Sequence, residues 1–383
     1  MRRKKIAALV VACSVLCSSL LGCAQPQNET IVVGGVLSLS GPVSVYGSSI
    51  SNGIQLATQQ VNQAGGLLGK QIEYIEEDDK GEGKEAKKVY KELKKQKVAG
   101  IIGAVTTEAS LVLAQVSRKD GIAIISPSAT AAEITSYGDN MFSVCYTDPY
   151  QSRTMASFAS ETMAAKRMAI FYEFSDAYSS GSAHEFGERA TQLGAQEVIY
   201  YTFSKDDSDY TRQLSKIKKD NPEVIFIPTQ YKSFRQIAVQ AKQLGIDAVL
   251  LGNDGCEMVF SDASQEEIGA LEGVYFCAGY YAQHDDEKSR LFAAAYEQQY
   301  GRRPDSFAAL GYDAAMLLYG AIEAVGKPNS EKVIEQITCS ETEGVTGPIY
   351  FNCLGDPENK RIFIFKIEQG QPVLQSLIAP EPV

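Results

Sequence analysis

The sequence contains no tryptophan and only two histidines, His184 and His284, among its 383 residues. Histidine is the side chain that most often exchanges protons near neutral pH, and it is also a common metal ligand. His184 falls on an amphipathic helical pattern, and His284 lies in the acidic stretch AQHDDEKS. Neither belongs to a Ser/His/Asp arrangement. We therefore expect no catalytic site and predict that the protein is not an enzyme.

Positive charge is scarce as well, because 36 Lys and Arg face 47 Asp and Glu, for a formal net charge of −11. Binding to nucleic acid needs clustered Lys and Arg against phosphates, so we expect no nucleic-acid partner. The stretch GGLLGK resembles part of a phosphate loop, but its spacing fails and Gln71 follows Lys70. We interpret it as a turn after a helix. Pairs such as Asp78-Asp79 are typical of solvated loops, so we expect no metal and no cofactor.

Long apolar runs are confined to the N-terminus, and no later stretch is apolar enough to span a bilayer. MRRKK followed by IAALVVACSVLCSSLLG has the order of a signal peptide. This stretch ends in Leu20-Leu21-Gly22-Cys23, which resembles the lipobox of bacterial lipoproteins, where the Cys becomes the lipidated first residue. We predict a signal peptide over 1–22, a tether over 23–30 and a lipid anchor on Cys23 at the extracytoplasmic face of the cell membrane. The alternative is an ordinary signal peptide that contains a Cys.

Cysteine is sparse in the remaining chain, where five residues stay after the signal peptide and Cys23: Cys145, Cys256, Cys277, Cys339 and Cys353. Their spacing matches no CxxC pattern, which argues against a zinc site. Cys339 and Cys353 flank a short segment, and whether they pair is left open. The odd number predicts at least one buried, free thiol.

What is abundant is an alternation of strands and helices. IVVGGVLSL, IEYIEEDD, VAGIIGAV and IAIISP read as strands with helical segments between them, and the alternation restarts after about Thr147. This pattern predicts βαβ units and parallel sheets. About 360 residues exceed what one core usually serves. We therefore predict two α/β lobes of similar design, with antiparallel strands near the C-terminus.

Hydroxyl side chains follow two neighbouring strands of the first lobe. Thr106-Thr107 comes after VAGIIGAV, and Ser126-Pro127-Ser128-Ala129-Thr130 closes IAIISP. Open α/β sheets bind ligands at the carboxyl edge, and the helix starts there favour an anion. These hydroxyls would suit a carboxylate, although helix capping alone also accounts for each of them.

Aromatic and acidic residues follow strands of the second lobe. Tyr178 lies after RMAIFYE, Tyr231 after VIFIPTQ and Asp254 after AVLLGN, while Tyr46 lies in the first loop of the first lobe. Such residues across a cleft from the hydroxyls would suit a small zwitterion with an apolar side chain. The alternatives are surface or interface tyrosines, of which the chain has 20 in total, and a turn role for Asp254.

GPVSVYG, GIQLATQQVNQAGGLLGKQIEY, IISPSAT and SFAALGYDA together resemble the solute receptors of ABC importers with the type I periplasmic binding fold. The likeness is greatest to the leucine/isoleucine/valine-binding group and covers about residues 31–375. It implies two doubly wound α/β lobes joined by three crossover segments, near Tyr146, Tyr280 and Gly344, around a ligand cleft. The implied first lobe holds 31–146 and 281–344, and the second holds 147–280 and 345–383.

The resemblance also implies roles for individual residues. Thr107, Ser128 and Thr130, with Ala129 between the last two, stand where the family binds the α-carboxylate and α-amino groups. Asp254 stands where the best-known members pair the ammonium with a Glu. Val105 and Thr106 would border the ligand, and Tyr46, Tyr178, Tyr231 and Phe307 would line the rest of the pocket.

The function implied is capture of an amino acid, branched-chain or otherwise hydrophobic, and delivery to ABC permease subunits by a monomer. Two alternatives share the fold. One is a receptor that signals to a membrane partner, and the other is a binder of an amide, urea or aromatic acid.

Overall fold

The computed structural model describes residues 30–328, 330–352, 355–358 and 360–378. The signal peptide, Cys23, most of the tether and Cys353 lie outside the described residues, so the predictions about them stay predictions. Two sheets dominate the fold. The first contains five parallel strands in the order β2-β1-β3-β4-β5: β1 Ile31–Leu37, β2 Ile72–Asp78, β3 Ile101–Gly103, β4 Ile124–Ser126 and β5 Met141–Ser143.

The helices of the first sheet connect its strands and cover both faces. They are α1 Ser44–Gln63, α2 Gly83–Lys95 and α3 Thr107–Ser117, joined later in the chain by α9 Glu287–Tyr300, α10 Ser306–Val325 and α11 Ser330–Thr338. α1 and α10 pack closely, because a Cβ on Gly53 would lie 2.0 Å from the carbonyl oxygen of Ala308. Contrary to the sequence-based expectation, α10 is long and apolar enough to cross a membrane, but 67% of its most apolar part is buried, as expected of a core helix.

The second sheet has seven strands in the order β14-β13-β10-β9-β8-β6-β7. Its parallel part is β6 Arg167–Glu173, β7 Glu197–Phe203, β8 Val224–Phe226, β9 Val249–Gly252 and β10 Tyr275–Ala278. β13 Ile362–Glu368 adds to β10 antiparallel, and β14 Gln371–Ile378 pairs with β13. The helices of this half are α4 Asp148–Ser157, α5 Ala177–Gln192, α6 Thr211–Asp220, α7 Tyr231–Gln243 and α8 Gln265–Ala270.

Both parallel sheets have the same strand order. Reading β6–β10 as strands one to five gives 2-1-3-4-5, which is also the order of β1–β5. In each sheet the second strand is added on one side of the first strand and the third strand on the other side. Such a topological switch point opens a crevice at the carboxyl edge of the sheet. We call each sheet with its helices a lobe. The predicted class of two doubly wound α/β lobes is confirmed.

Three segments connect the lobes: the chain leaves the first sheet after β5, returns after β10 and rejoins the second sheet at β13. The last segment contains a small hairpin of β11 Thr342–Gly344 and β12 Gly347–Ile349. Here Asp313 of α10 accepts hydrogen bonds from the backbone N–H of Thr346 at 2.9 Å and from its hydroxyl at 2.6 Å. The ammonium of Lys360 donates to the same hydroxyl at 2.9 Å. The lobe boundaries given above stay a prediction.

Some elements differ from the sequence-based expectation. GPVSVYG is only partly a loop, because α1 begins at Ser44 and already contains Tyr46. The strand β5 and the helix α4 were not anticipated, since three residues of strand and a helix opening with Asp148-Pro149 give little periodicity. Both belong to the first crossover region.

Candidate functional site

A small cavity of about 30 Å³ lies where the two carboxyl edges meet. A space of this size holds roughly one water molecule. Nine of the eleven predicted ligand-binding residues line it. The full lining consists of Tyr46, Val105, Thr106, Thr107, Ser128, Thr130, Tyr178, Gln230, Asp254, Gly255 and Phe307.

The turn after β4 is built by its own hydroxyls. Ser126 Oγ donates to the carbonyl of Ala104 at 3.0 Å and accepts from the N–H of Ala129 at 3.2 Å. Ser128 Oγ donates to the carbonyl of Val105 at 2.8 Å, which ties this turn to the end of β3. Ala129 is buried and does not line the cavity; its N–H closes the turn on Ser126, and its contact with a ligand stays a prediction.

The end of β3 presents a helix start to the cavity. Thr106 Oγ1 accepts from the N–H of Ala109 at 3.3 Å and so caps α3. Thr107, the first residue of that helix, lines the cavity and is not needed for capping. The unpaired backbone N–H groups and the helix dipole make this corner favourable for an anion.

Tyr46 spans the two lobes from the first turn of α1. Its hydroxyl donates to the carbonyl of Gly255 at 2.7 Å and accepts from the N–H of Tyr231 at 2.9 Å. Its ring lies 4.6 Å from that of Phe307 and 5.6 Å from that of Tyr231, measured between centroids. Tyr231 packs against Tyr46 and does not line the cavity, and its contact with a ligand stays a prediction.

Asp254 lies on the second lobe, 7% exposed. Its Oδ1 accepts from the hydroxyl of Tyr178 at 2.9 Å and from the N–H of Gly255 at 3.0 Å. Burial raises the pKa of Asp254 to about 6, despite these hydrogen bonds, which lower it. Among the described residues that line the cavity there is no Lys or Arg, so the carboxylate has no protein cation beside it.

A second buried carboxylate stands behind the first. Asp148 Oδ1 accepts from Gln151 Nε2 at 2.9 Å and from the hydroxyl of Ser182 at 3.0 Å. Its Oδ2 is buried and lacks a hydrogen bond of good geometry among the described residues, although the hydroxyl of Thr130 is near enough to lower the pKa of Asp148. Gln151 Oε1 accepts from the backbone N–H of Asp254 at 3.4 Å, so one amide links the carboxyl group of Asp148 to the backbone of Asp254. Burial, with the nearby Asp254, raises the pKa of Asp148 to about 7.

Sequence reasoning missed Asp148, Gln151, Gln230 and Gly255. Gln230 and Gly255 adjoin predicted residues, so extending each predicted position by one residue would have found them. Asp148 and Gln151 lie in the unanticipated helix α4, where an acidic residue followed by Pro marks a helix start. That signal identifies the start of a helix, but it does not show that the acidic side chain is buried.

Three thiols lie near the hydrogen-bonded groups of Asp148, Gln151 and Asp254. Cys145, Cys256 and Cys277 are buried and unbridged, as predicted for at least one Cys, and burial raises the pKa of each. Among the described residues no group of His, Cys, Asp and Glu could hold a metal ion. His184 is exposed on α5, and neither histidine lines the cavity.

The two-lobed architecture with a cleft between switch points defines a class of ligand-binding receptors, and the sequence matches one such family. Residues 30–372 match the family model described as periplasmic binding protein. The chain belongs to this family and has the type I periplasmic binding protein fold, as the sequence motifs predicted.

The particular relatives include solved structures. A leucine-binding protein of Thermotoga maritima is 30% identical, with a TM-score of 0.85 over 92% of this chain and 99% of that one. A branched-chain amino acid transporter substrate-binding protein of Streptococcus pneumoniae, in complex with isoleucine, is 28% identical, with a TM-score of 0.83 over 92% and 100%. A leucine-, isoleucine-, valine-, threonine- and alanine-binding protein of Pseudomonas aeruginosa is 26% identical, covering 86% of this chain and 88% of that one.

Proposed function

We propose that the protein captures an amino acid, branched-chain or otherwise hydrophobic, between its lobes and delivers it to an ABC importer. The observation that carries the proposal is Asp254. It is a buried carboxylate with no Lys or Arg among the described cavity-lining residues. An isolated buried charge is costly, and a ligand ammonium would compensate it.

The side of the cavity formed by the first lobe suits the carboxylate of a zwitterion. The start of α3 offers backbone N–H groups, and Thr107 and Thr130 add hydroxyls. The hydroxyl of Ser128 donates to the carbonyl of Val105, so its oxygen is left to accept from a ligand ammonium. A carboxylate held by such donors would make charge-assisted hydrogen bonds. The rings of Tyr46 and Phe307 leave apolar surface for a ligand side chain. The names of the relatives agree with this ligand class.

Binding would require the lobes to part. A cavity of about 30 Å³ cannot admit an amino acid, and Tyr46 bridges the lobes across it. Separation at the three connecting segments would open the site, and closure would remove the charged ends of the ligand from water. Ligand capture and lobe closure are thereby coupled.

Lipidation of Cys23 would hold the receptor at the extracytoplasmic membrane surface, next to its permease. A diacylglyceryl anchor supplies two chains, which suffices for stable attachment. The test is growth with labelled palmitate. We expect label in the native protein and none in Cys23→Ala, and a labelled Cys23→Ala protein would contradict the anchor.

The ligand is tested by mass spectrometry of molecules carried through purification, followed by thermal unfolding of the ligand-stripped protein against a panel. A binding amino acid at 100 times its Kd should stabilise the native state by about 2.7 kcal/mol. Leucine, isoleucine and valine should raise Tm, and glycerol should not. If an amide, urea or aromatic acid raised Tm while amino acids did not, the proposed ligand class would be wrong.

A further inference from the structure

A basic surface lies at the amino edge of the first sheet, on the side away from the cavity. It consists of Lys94, Lys95, Lys97, Arg118 and Lys119, all exposed, and we call it the basic pole. Residues 84–97 alone contain seven Lys and two Glu. Without the four basic residues of the predicted signal peptide the chain has a formal charge of −15, so this pole stands out against an acidic molecule.

The two segments that form the pole are physically joined. Lys94 Nζ lies 2.6 Å from Asp120 Oδ1, which ties the end of α2 to the turn after α3. Glu92 pairs with Lys95 at 2.7 Å. Lys97, Arg118 and Lys119 have no ion pair among the described residues. Two exposed carboxylates border the pole, Asp139 beside Arg118 and Glu331 beside Gly121. With Glu92 and Asp120 they set four negative charges against the five basic side chains, which leaves a net charge of +1.

The first residue of β1 lies at the same edge. β1 begins at Ile31, and the carbonyl of Val32 accepts a 2.7 Å hydrogen bond from the N–H of Ala99, two residues after Lys97. The segment from Cys23 to Thr30 is eight residues long. Fully extended, it spans at most about 26–29 Å. A lipid on Cys23 would therefore keep the basic pole within a short distance of the bilayer.

We propose that the basic pole binds the surface of a bilayer that contains anionic phospholipids. The proposal rests on the lipid anchor proposed above. Basic side chains near an anionic membrane are attracted to it over about one Debye length, and a basic patch provides the second signal that strengthens a lipid anchor. The rest of the chain has a net negative charge and would be repelled on average. An acidic protein could also match such a patch, but the position of the tether favours the membrane.

Contact through the basic pole orients the receptor. The amino edge of the first sheet faces the lipid, and the carboxyl edge, where the cavity lies, points away from it. A receptor held this way keeps its cleft open to the surrounding medium while it waits for ligand.

The test uses the protein without its first 23 residues, because Ile31–Val383 forms one compact unit of its own. Co-sedimentation is measured with phosphatidylcholine vesicles, with and without phosphatidylglycerol. We expect binding only to the anionic vesicles, and loss of that binding at high salt. The triple variant Lys95→Glu, Lys97→Glu, Lys119→Glu should bind about tenfold more weakly or worse.

The matched control is Arg212→Glu, Lys216→Glu, Lys219→Glu, an equal charge change on exposed residues of α6 in the second lobe. It should retain binding. No binding of the native protein to anionic vesicles, or equal loss in both triple variants, would overturn the proposal. Palmitate labelling and the ligand panel report separately on the anchor and on amino-acid binding, so their failure is distinguishable from failure of this surface.

Discussion

The hydroxyl of Tyr46, on the first lobe, donates a 2.7 Å hydrogen bond to the carbonyl of Gly255, on the second. The same oxygen accepts from the N–H of Tyr231 at 2.9 Å. One side chain thus satisfies two backbone groups across the cleft. These bonds exist only while the lobes are together, so they contribute to the free energy of closure rather than to the stability of either lobe.

Tyr46→Phe should shift the protein towards the open form. In the closed form the variant leaves the Gly255 carbonyl and the Tyr231 N–H unpaired, at a cost of about 1–3 kcal/mol, whereas water satisfies both in the open form. Ligand affinity should fall about fivefold to 150-fold, and small-angle scattering should show a larger radius of gyration. Tyr319→Phe is the control, since its hydroxyl bonds Thr58 at 2.7 Å within the first lobe. Equal effects of both variants would contradict a cross-lobe role.

Asp254→Asn should separate affinity from stability. Truncating one partner of a buried charge pair costs about 2–5 kcal/mol, so amino-acid affinity measured by calorimetry should fall by a factor of 30 or more. The ligand-free protein should instead gain in Tm, because an uncompensated buried carboxylate is removed. Asp356→Asn is a matched control, a buried Asp bonded to Thr135 and outside the cavity lining. Unchanged affinity in Asp254→Asn would refute the ammonium assignment.

The buried carboxyl groups predict a pH dependence. In the folded, ligand-free protein the pKa of Asp254 is about 6 and that of Asp148 about 7, both raised from 3.8 by burial. A raised carboxyl pKa stabilises the fold below the unfolded value, and this contribution is lost as pH rises through the folded value. Ligand-free Tm should therefore fall between about pH 4 and 7.

Affinity should change in the opposite direction over the same range, because a ligand ammonium binds the ionised carboxylate of Asp254 and is attracted at longer range by that of Asp148. Calorimetry from pH 5 to pH 8 should show tighter binding at the higher pH, with proton release on binding near pH 6. Asp148→Asn should flatten the upper part of this profile. A pH-independent affinity would show that neither group faces the ligand cation.

Lys360→Met should destabilise the connection between the lobes. Lys360 is 3% exposed and donates to the hydroxyl of Thr346, which in turn donates to the buried Asp313. Removing the ammonium of Lys360 leaves the buried carboxylate of Asp313 without this cation, which should lower the free energy of unfolding by about 3 kcal/mol. Denaturant unfolding measures it. Lys366→Met removes a partly exposed Lys paired with Glu368 and should change stability by less than about 1 kcal/mol.

The strand–helix alternation was sufficient to predict the two lobes, because βαβ units leave a strong periodic signal. The edge at which Thr107, Ser128 and Asp254 meet followed from that topology alone. Asp148 and Gln151 escaped because their role depends on burial in the crossover region, and short elements such as β5 carry no periodicity. The hydrogen bonds of Tyr46 across the cleft were not predicted either, because a local sequence pattern does not show which residues of the other lobe a side chain contacts.

Most side chains of the site lie in the first turn of a helix. These are Tyr46 in α1, Thr107 in α3, Tyr178 in α5 and Phe307 in α10. Each backbone is fixed by a strand or a helix packed behind it, while each side chain projects into the cleft. Single substitutions can therefore alter what the cleft accepts without disturbing the framework. Evolution can therefore change the ligand of such a receptor by single substitutions while the fold is kept. In agreement, this chain is only 28–30% identical to two of its relatives, and the structures superpose with TM-scores of 0.83–0.85.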